Sequence, residues 1–196
     1  MPLPSLHVVI ASTRPGRIGP SIAHWIHGFI AQHGAFEPKL VDLAAMNLPL
    51  FDEPQHPMRR QYVHEHTKAW SRSVNSADAF VFVTPEYNYG PPPSLVNAFD
   101  YLYFEWNYKP AGFVSYGGVS AGMRASARAA MTVGTLKMMA VPESVALPNV
   151  FAQIKEGAFL ANELNCTGAG AMLNEMAKWE KALRELRSEL RATSLK

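Results

Sequence analysis

The chain alternates between two hydrophobic periods. Residues 6–12, "LHVVIAS", form a short branched apolar run; after the turn-rich "TRPGRIGP", apolar Ile22, Ile26, Phe29 and Ile30 recur at helical spacing. This predicts a strand, a loop and a helix over 21–34. The alternation continues with a strand at 37–43, a long loop and a helix at 61–77. A strand at 78–84 and a helix at 94–106 entered through prolines follow, then a strand at 110–117, a helix at 120–140 and a fifth strand at 143–148. Met172, Met176, Trp179, Leu183, Leu186 and Leu190 repeat by threes and fours, with Glu180/Arg184 and Lys181/Glu185 expected as exposed pairs at i,i+4 spacing. The repeat is short for a coiled coil and better suits a helix covering one face of a sheet.

Five strands alternating with helices imply one α/β domain over residues 1–196: a doubly wound parallel sheet with helices on both faces and no internal repeat or linker. Ligands of such sheets bind beyond the carboxyl ends of the strands, where the strand order reverses. Three loops at such ends are unusual. The first, "STRPGRIGPS" (12–21), brings the hydroxyls of Ser12, Thr13 and Ser21, the guanidinium groups of Arg14 and Arg17, and Gly16 and Gly19 to the start of a helix. Free N–H groups at a helix start and arginine forks favour phosphate; the plain alternative is a capped turn with solvated arginines. The triphosphate-loop pattern is absent and the glycine spacing fails G-x-G-x-x-G, although Asp42 ends the second strand at the place of a ribose-binding acid. A monophosphate is the better fit. The second loop, "TPEYNYGPPP" (84–93), leaves the buried-looking run "AFVFV" through an acid, two tyrosines, an asparagine and three prolines, and the third, "YGGVSAG", follows the fourth strand.

Composition narrows the partners. With 48% hydrophobic and 17% charged residues the chain is ordinary globular material. A formal charge of +2, with no Lys/Arg cluster among aromatics, disfavours nucleic acid. No apolar run reaches membrane-span length, and the single Cys166 and lack of a leader lead us to expect a cytoplasmic protein. Cys166 has no nearby histidine and receives no role. His24 and His27 share a helical face without an acid or cysteine to complete a metal set, and we expect no metal.

"STRPGRIG", "TPEYNYGPPPSLVNAFDYL" and "YGGVSAGMRA", in that order and after those strands, resemble the NAD(P)H-dependent FMN reductases of flavodoxin-like fold over residues 6–150. The resemblance implies a sheet of order 2-1-3-4-5, noncovalent FMN, and NADPH or NADH as co-substrate for reducing a small-molecule acceptor such as a flavin, quinone, azo dye or metal oxyanion. It places the FMN phosphate at Ser12, Arg14, Arg17, Ile18, Gly19 and Ser21. The isoalloxazine falls at Pro85, Glu86, Tyr87, Asn88 and Tyr89, with Ser115, Gly117 and Gly118 closing the other side. Hydride then passes through FMN N5, and no side chain is required as a covalent nucleophile. A stiff loop suits this task, because hydride transfer needs the ring held in one pose.

Several side chains keep two readings. Glu86 is a candidate base by position, but hydride transfer needs none, so a structural role is favoured. Arg124 faces either the nicotinamide cofactor's phosphates or a surface acid, and Arg59 and Arg60 either the 2′-phosphate of NADPH or solvent. In "AFDYLYFEWNY" (98–108), apolar groups cover nearly the whole circumference of a helix. Either the segment lies under long loops of its own subunit or it meets a second copy; the resemblance favours a homodimer, or a dimer of dimers, through 94–108 and the following helix. Tyr101 or Tyr103 is expected in that contact, with Asp100 near its rim. The competing function is a flavodoxin-like electron carrier or flavin redox sensor. Such carriers are strongly acidic, and this chain is near neutral.

Overall fold

A computed structural model of the protein describes residues 2–193, with side chains placed as far as residue 189. Strands β1 (Ser5–Ile10), β2 (Glu37–Asp42), β3 (Ala79–Pro85) and β4 (Pro110–Tyr116) run parallel in the order β2-β1-β3-β4. The fifth place beside β4 is shared by two pieces, β5 (Met139–Ala140) against its start and β6 (Val145–Leu147) against its end. This is the expected doubly wound 2-1-3-4-5 sheet, with a correction at its edge. Residues 139–140, whose periodicity continues a helix, are extended, because the helix before them stops at Thr135 and Lys137 turns the chain at φ 56°. A small hairpin, β7 (Ile154–Lys155) with β8 (Ala158–Phe159), was not foreseen.

Among the described residues six α-helices complete the layers: α1 (Gly19–His33), α2 (Leu43–Met46), α3 (Glu65–Ser76), α4 (Pro93–Asp100), α5 (Met123–Thr135) and α6 (Glu163–Thr193). Strand alternation sorts the core into two clusters. Leu6, Val8, Ile10, Val81, Val83 and Val114 face α1 and α6, whereas Val9, Phe80, Phe82 and Phe113 face α3, α4 and α5. β3 is buried along its whole length, as its unbroken apolar run requires. α6 lies on β4, β6 and α1, which decides against a coiled coil. Glu180, expected on the exposed face, is instead buried, because Arg187 pins the far end of α6 by donating to it at 2.5 Å and to the Tyr108 carbonyl at 2.9 Å. Leu190, last of the helical repeat, lies outside the described side chains. Among the described residues no helix is long and apolar enough to cross a membrane.

The aromatic segment departs most from expectation. α4 ends at Asp100, and Phe104–Trp106 forms a separate 3-10 turn, so 94–106 is not one helix. Breaking the helix turns both sides of the segment inward. Phe99 and Trp106 pack on Phe82, Trp106 also on Phe80, and Tyr101 is fully buried, donating its hydroxyl to Asp52 at 2.9 Å in the long loop after β2. Tyr101 therefore cannot lie in a contact with a second copy: its own subunit encloses it. Tyr103 is half-buried against the same core, and Asp100 is exposed.

Candidate active site

The loops after β1, β3 and β4 converge at the carboxyl edge of the sheet. A cleft of about 210 Å³ there is lined by Arg14, Arg17, Ile18, Pro85, Glu86, Tyr87, Tyr116, Gly117, Gly118, Val150 and Phe151. All three loops singled out in the sequence contribute to it, as does the segment following β6.

On the first side, α1 begins at Gly19 with Ile18 as its cap residue, and no side chain caps its free N–H groups. Gly19 is required by a close approach: a Cβ would stand 2.6 Å from Ser12 Oγ and 2.8 Å from the Tyr116 hydroxyl. Those two groups are themselves bonded, Tyr116 donating to Ser12 at 3.2 Å. Burial pushes the Tyr116 phenol up to about 12 against the pull of Ser12, so it is a neutral donor at physiological pH. Ser12 is fully buried and Ser21 donates to the Ile18 carbonyl, so both shape the loop from within. Arg14 is exposed at the cleft, and its guanidinium makes no hydrogen bond or ion pair among the described residues.

Arg17 is differently placed. It grips Asp42 with both forks at 2.6 Å and donates to the Ser12 carbonyl at 2.5 Å. Burial raises the Asp42 carboxyl, but Arg17 and the Ala44 N–H more than offset it, holding the group below the usual carboxylate range. Asp42 thus caps α2 and anchors the loop, and its ribose-binding reading falls away. Arg17 lines the cleft as a strut whose charge is already balanced.

The second side explains the odd chemistry of "TPEYNYGPPP". Tyr87 and Gly90 exchange both backbone hydrogen bonds at 2.9 Å around Asn88 and Tyr89, which both have left-handed backbones at φ 49° and 65°. This is the two-residue turn that matches strand twist, and it usually ends in glycine. Asn88 and Tyr89 stand exposed at its tip, outside the cleft lining. Glu86 is a staple: it accepts from Ser120 Oγ at 3.2 Å, from the Arg124 N–H at 3.2 Å and from the Arg124 guanidinium. Burial pushes its carboxyl up, yet Arg124 and Ser120 outweigh this and leave it below the usual range. It stays ionised at neutral pH with its oxygens occupied, which supports structure over base catalysis. Arg124 is the surface ion-pair partner of the two readings. Arg59 donates to Gln55 and Arg60 lies over Phe104 at 4.4 Å, both away from the cleft.

The third side is the glycine corner after β4. Gly117 N–H donates to the Leu147 carbonyl, and the Gly117 and Gly118 carbonyls accept from Val150 and Asn149, lacing this corner to the strand-six loop. A Cβ on Gly118 would meet no protein atom within 4 Å, so its outer side is open. Ser115 is buried in β4 and does not line the cleft. Tyr116, Val150 and Phe151 were missed by sequence reasoning, although the rule that ligands gather at strand carboxyl ends applies equally to the fifth strand.

Comparison with known proteins then decides the family. Residues 4–152 match the family described as NADPH-dependent FMN reductase. The chain belongs to that family. It is 43% identical over 146 residues to an NAD(P)H-dependent FMN reductase of Schizosaccharomyces pombe, covering 74% of this chain and 72% of the relative. An NAD(P)H-dependent FMN reductase of a Nectria species is 35% identical over 162 residues, 76% of this chain and 80% of that one. In fold the chain is similar to the flavoenzyme NAD(P)H:(acceptor) oxidoreductase FerB of Paracoccus denitrificans, with a TM-score of 0.73 at 18% identity, covering 92% of this chain and 98% of FerB. As an FMN reductase family member the chain is a flavin-dependent oxidoreductase using NAD(P)H. The local chemistry fits such a group: an uncapped helix start and the unpaired Arg14 suit a phosphate, and the open Gly118 leaves room for a flat ring.

Proposed function

We propose that the protein reduces a flat conjugated acceptor, a flavin or a quinone, with electrons from NADPH or NADH delivered in the cleft described above. Bound FMN supplies hydride acceptance and donation at its N5. The chain's own residues supply placement: Arg14, Ile18 and Gly19 at the phosphate, with Ser12, Arg17 and Ser21 holding that loop in shape. Pro85, Glu86 and Tyr87 form one wall at the ring, Asn88 and Tyr89 its tip, and Gly117 and Gly118, backed by Ser115, the other wall. The observation that carries this reading is the convergence of three separately recognised loops on one cleft. The apolar surface beside the glycine corner, with Val119 90% and Phe151 69% exposed, favours an acceptor that is a ring rather than a small oxyanion.

In this proposal the chain is one cytoplasmic domain that pairs with a second copy through the exposed edge of α4. Val96 of that helix, with Leu50 and Phe51 tied to it by the Phe51 N–H to Asn97 bond, offers apolar area there, and Tyr103 and Asp100 remain candidates for its margin. Sedimentation should give two or four times the 21.6 kDa chain mass; a fully active monomer would remove the dimer. The function itself is tested by the visible spectrum of the purified protein. A flavin band with FMN released on denaturation is expected, and a colourless protein that also ignores added FMN would end this reading.

A further inference from the structure

We propose that Arg128, which reaches the Tyr87–Gly90 turn, binds a phosphate group of the nicotinamide dinucleotide, so that α5 and this turn form a subsite for the reductant's charged half. The proposal rests on the reading above that NAD(P)H delivers electrons in this cleft. α5 carries two charged residues, Arg124 and Arg128, one turn apart, and no acid. Their surroundings differ. Arg124 directs Nε and Nη2 at Glu86 and lies 3.8 Å from the centre of the Tyr89 ring, so its fork is committed. Arg128 reaches the same turn, since a Cβ on Gly90 would stand 3.6 Å from its Nη1. It is exposed, and its guanidinium makes no hydrogen bond or ion pair among the described residues.

Charge matching singles it out. Arg14 and Arg17 line the cleft, and Arg124 and Arg128 stand at its Glu86–Gly90 edge; the carboxylates among them, Asp42 and Glu86, are each held by one arginine. Arg14 and Arg128 are left over, on loops and helices belonging to opposite faces of the sheet. Arg14 sits at the helix start suited to a flavin monophosphate. A dinucleotide entering the same cleft brings a second anionic group, and Arg128 is the guanidinium positioned to meet it.

A solvated surface arginine is the simpler alternative, and Tyr89 argues against it. Its backbone is left-handed at φ 65°, at the turn position where glycine would be strain-free. The ring is nevertheless present, 59% exposed, with Arg124 on one side. An exposed aromatic face kept at a strained position, in the turn whose Gly90 the unpaired Arg128 approaches, offers contacts for a nucleotide's base beside a guanidinium for its phosphate.

The test uses Arg128→Ala, with Arg128→Lys retaining the charge, in the FMN-loaded protein. Measured are FMN affinity, KM and kcat with NADPH and with NADH, and calorimetric binding of adenosine 2′,5′-bisphosphate and of ADP. Loss of a charge-assisted contact should raise KM for NADPH about tenfold in Arg128→Ala, with kcat and FMN affinity within about twofold and partial recovery in Arg128→Lys. A rise confined to NADPH, with 2′,5′-bisphosphate binding lost, assigns the contact to the 2′-phosphate. An equal rise with NADH and lost ADP binding assigns it to the pyrophosphate. Unchanged KM for both nucleotides with both probes still bound overturns the subsite and leaves the reductase reading standing, and FMN affinity falling in step with KM overturns it by moving Arg128 to the flavin. A parent protein that holds FMN but is reduced by neither nucleotide sinks the reading beneath it.

Discussion

Arg14→Ala should weaken FMN binding about ten- to hundredfold, because a charge-assisted hydrogen bond is worth roughly 1.5–3 kcal/mol. Arg14 is the exposed, unpaired guanidinium at the uncapped start of α1, so its removal leaves no new buried charge behind. Folding stability should be nearly unchanged, and turnover at saturating FMN should fall much less than affinity. Arg17→Ala is the informative contrast. It strands Asp42, so its effect should appear first as lost stability of the loop and of α2. Fluorescence titration with FMN and thermal unfolding separate the two. Unchanged FMN affinity in Arg14→Ala would put the phosphate elsewhere.

Gly122→Ala should be the most damaging small change near the cleft. Gly122 has φ 75°, and a Cβ would stand 2.7 Å from the Tyr116 backbone N and 2.8 Å from its carbonyl oxygen. Backbone atoms of a central strand cannot yield as a flexible side chain does, so left-handed strain and overpacking add to about 2–4 kcal/mol. The turn that carries Gly117, Gly118 and the Ser120 contact to Glu86 would be displaced, and FMN affinity should fall with stability. Gly118→Ala separates the two effects. Its Cβ meets no protein atom within 4 Å, so stability should hold while FMN affinity falls. Denaturant unfolding of both variants checks this, and a Gly122→Ala protein as stable as the parent would contradict the geometry.

The sequence was informative where a local pattern and the fold agree. The runs of β1, β3 and β4, and the three loops beyond them, were readable because a strand buried on both faces leaves a continuous apolar signature and a ligand loop breaks it with polar and glycine residues. Contacts distant in sequence were not readable. Nothing local to Arg17 distinguishes a phosphate ligand from a partner of Asp42 25 residues away, and nothing local to Glu86 announces Arg124 38 residues on. The segment 98–108 misled for a related reason: apolar residues on all sides suit a helix facing two surfaces, and equally a helix broken at Asp100 whose remainder folds into the same core. Val150 and Phe151 escaped because the short, split edge strand before them gives a weak period-two signal.

The cleft should accept electrons directly from a nicotinamide nucleotide. Anaerobic mixing of the FMN-loaded protein with NADPH, and separately with NADH, followed at the flavin absorption band, tests it most directly. Rapid bleaching by at least one nucleotide, with no other protein present, is the predicted result; a flavin band that persists with both and bleaches only when a second redox protein is added would contradict it and make the chain an electron carrier.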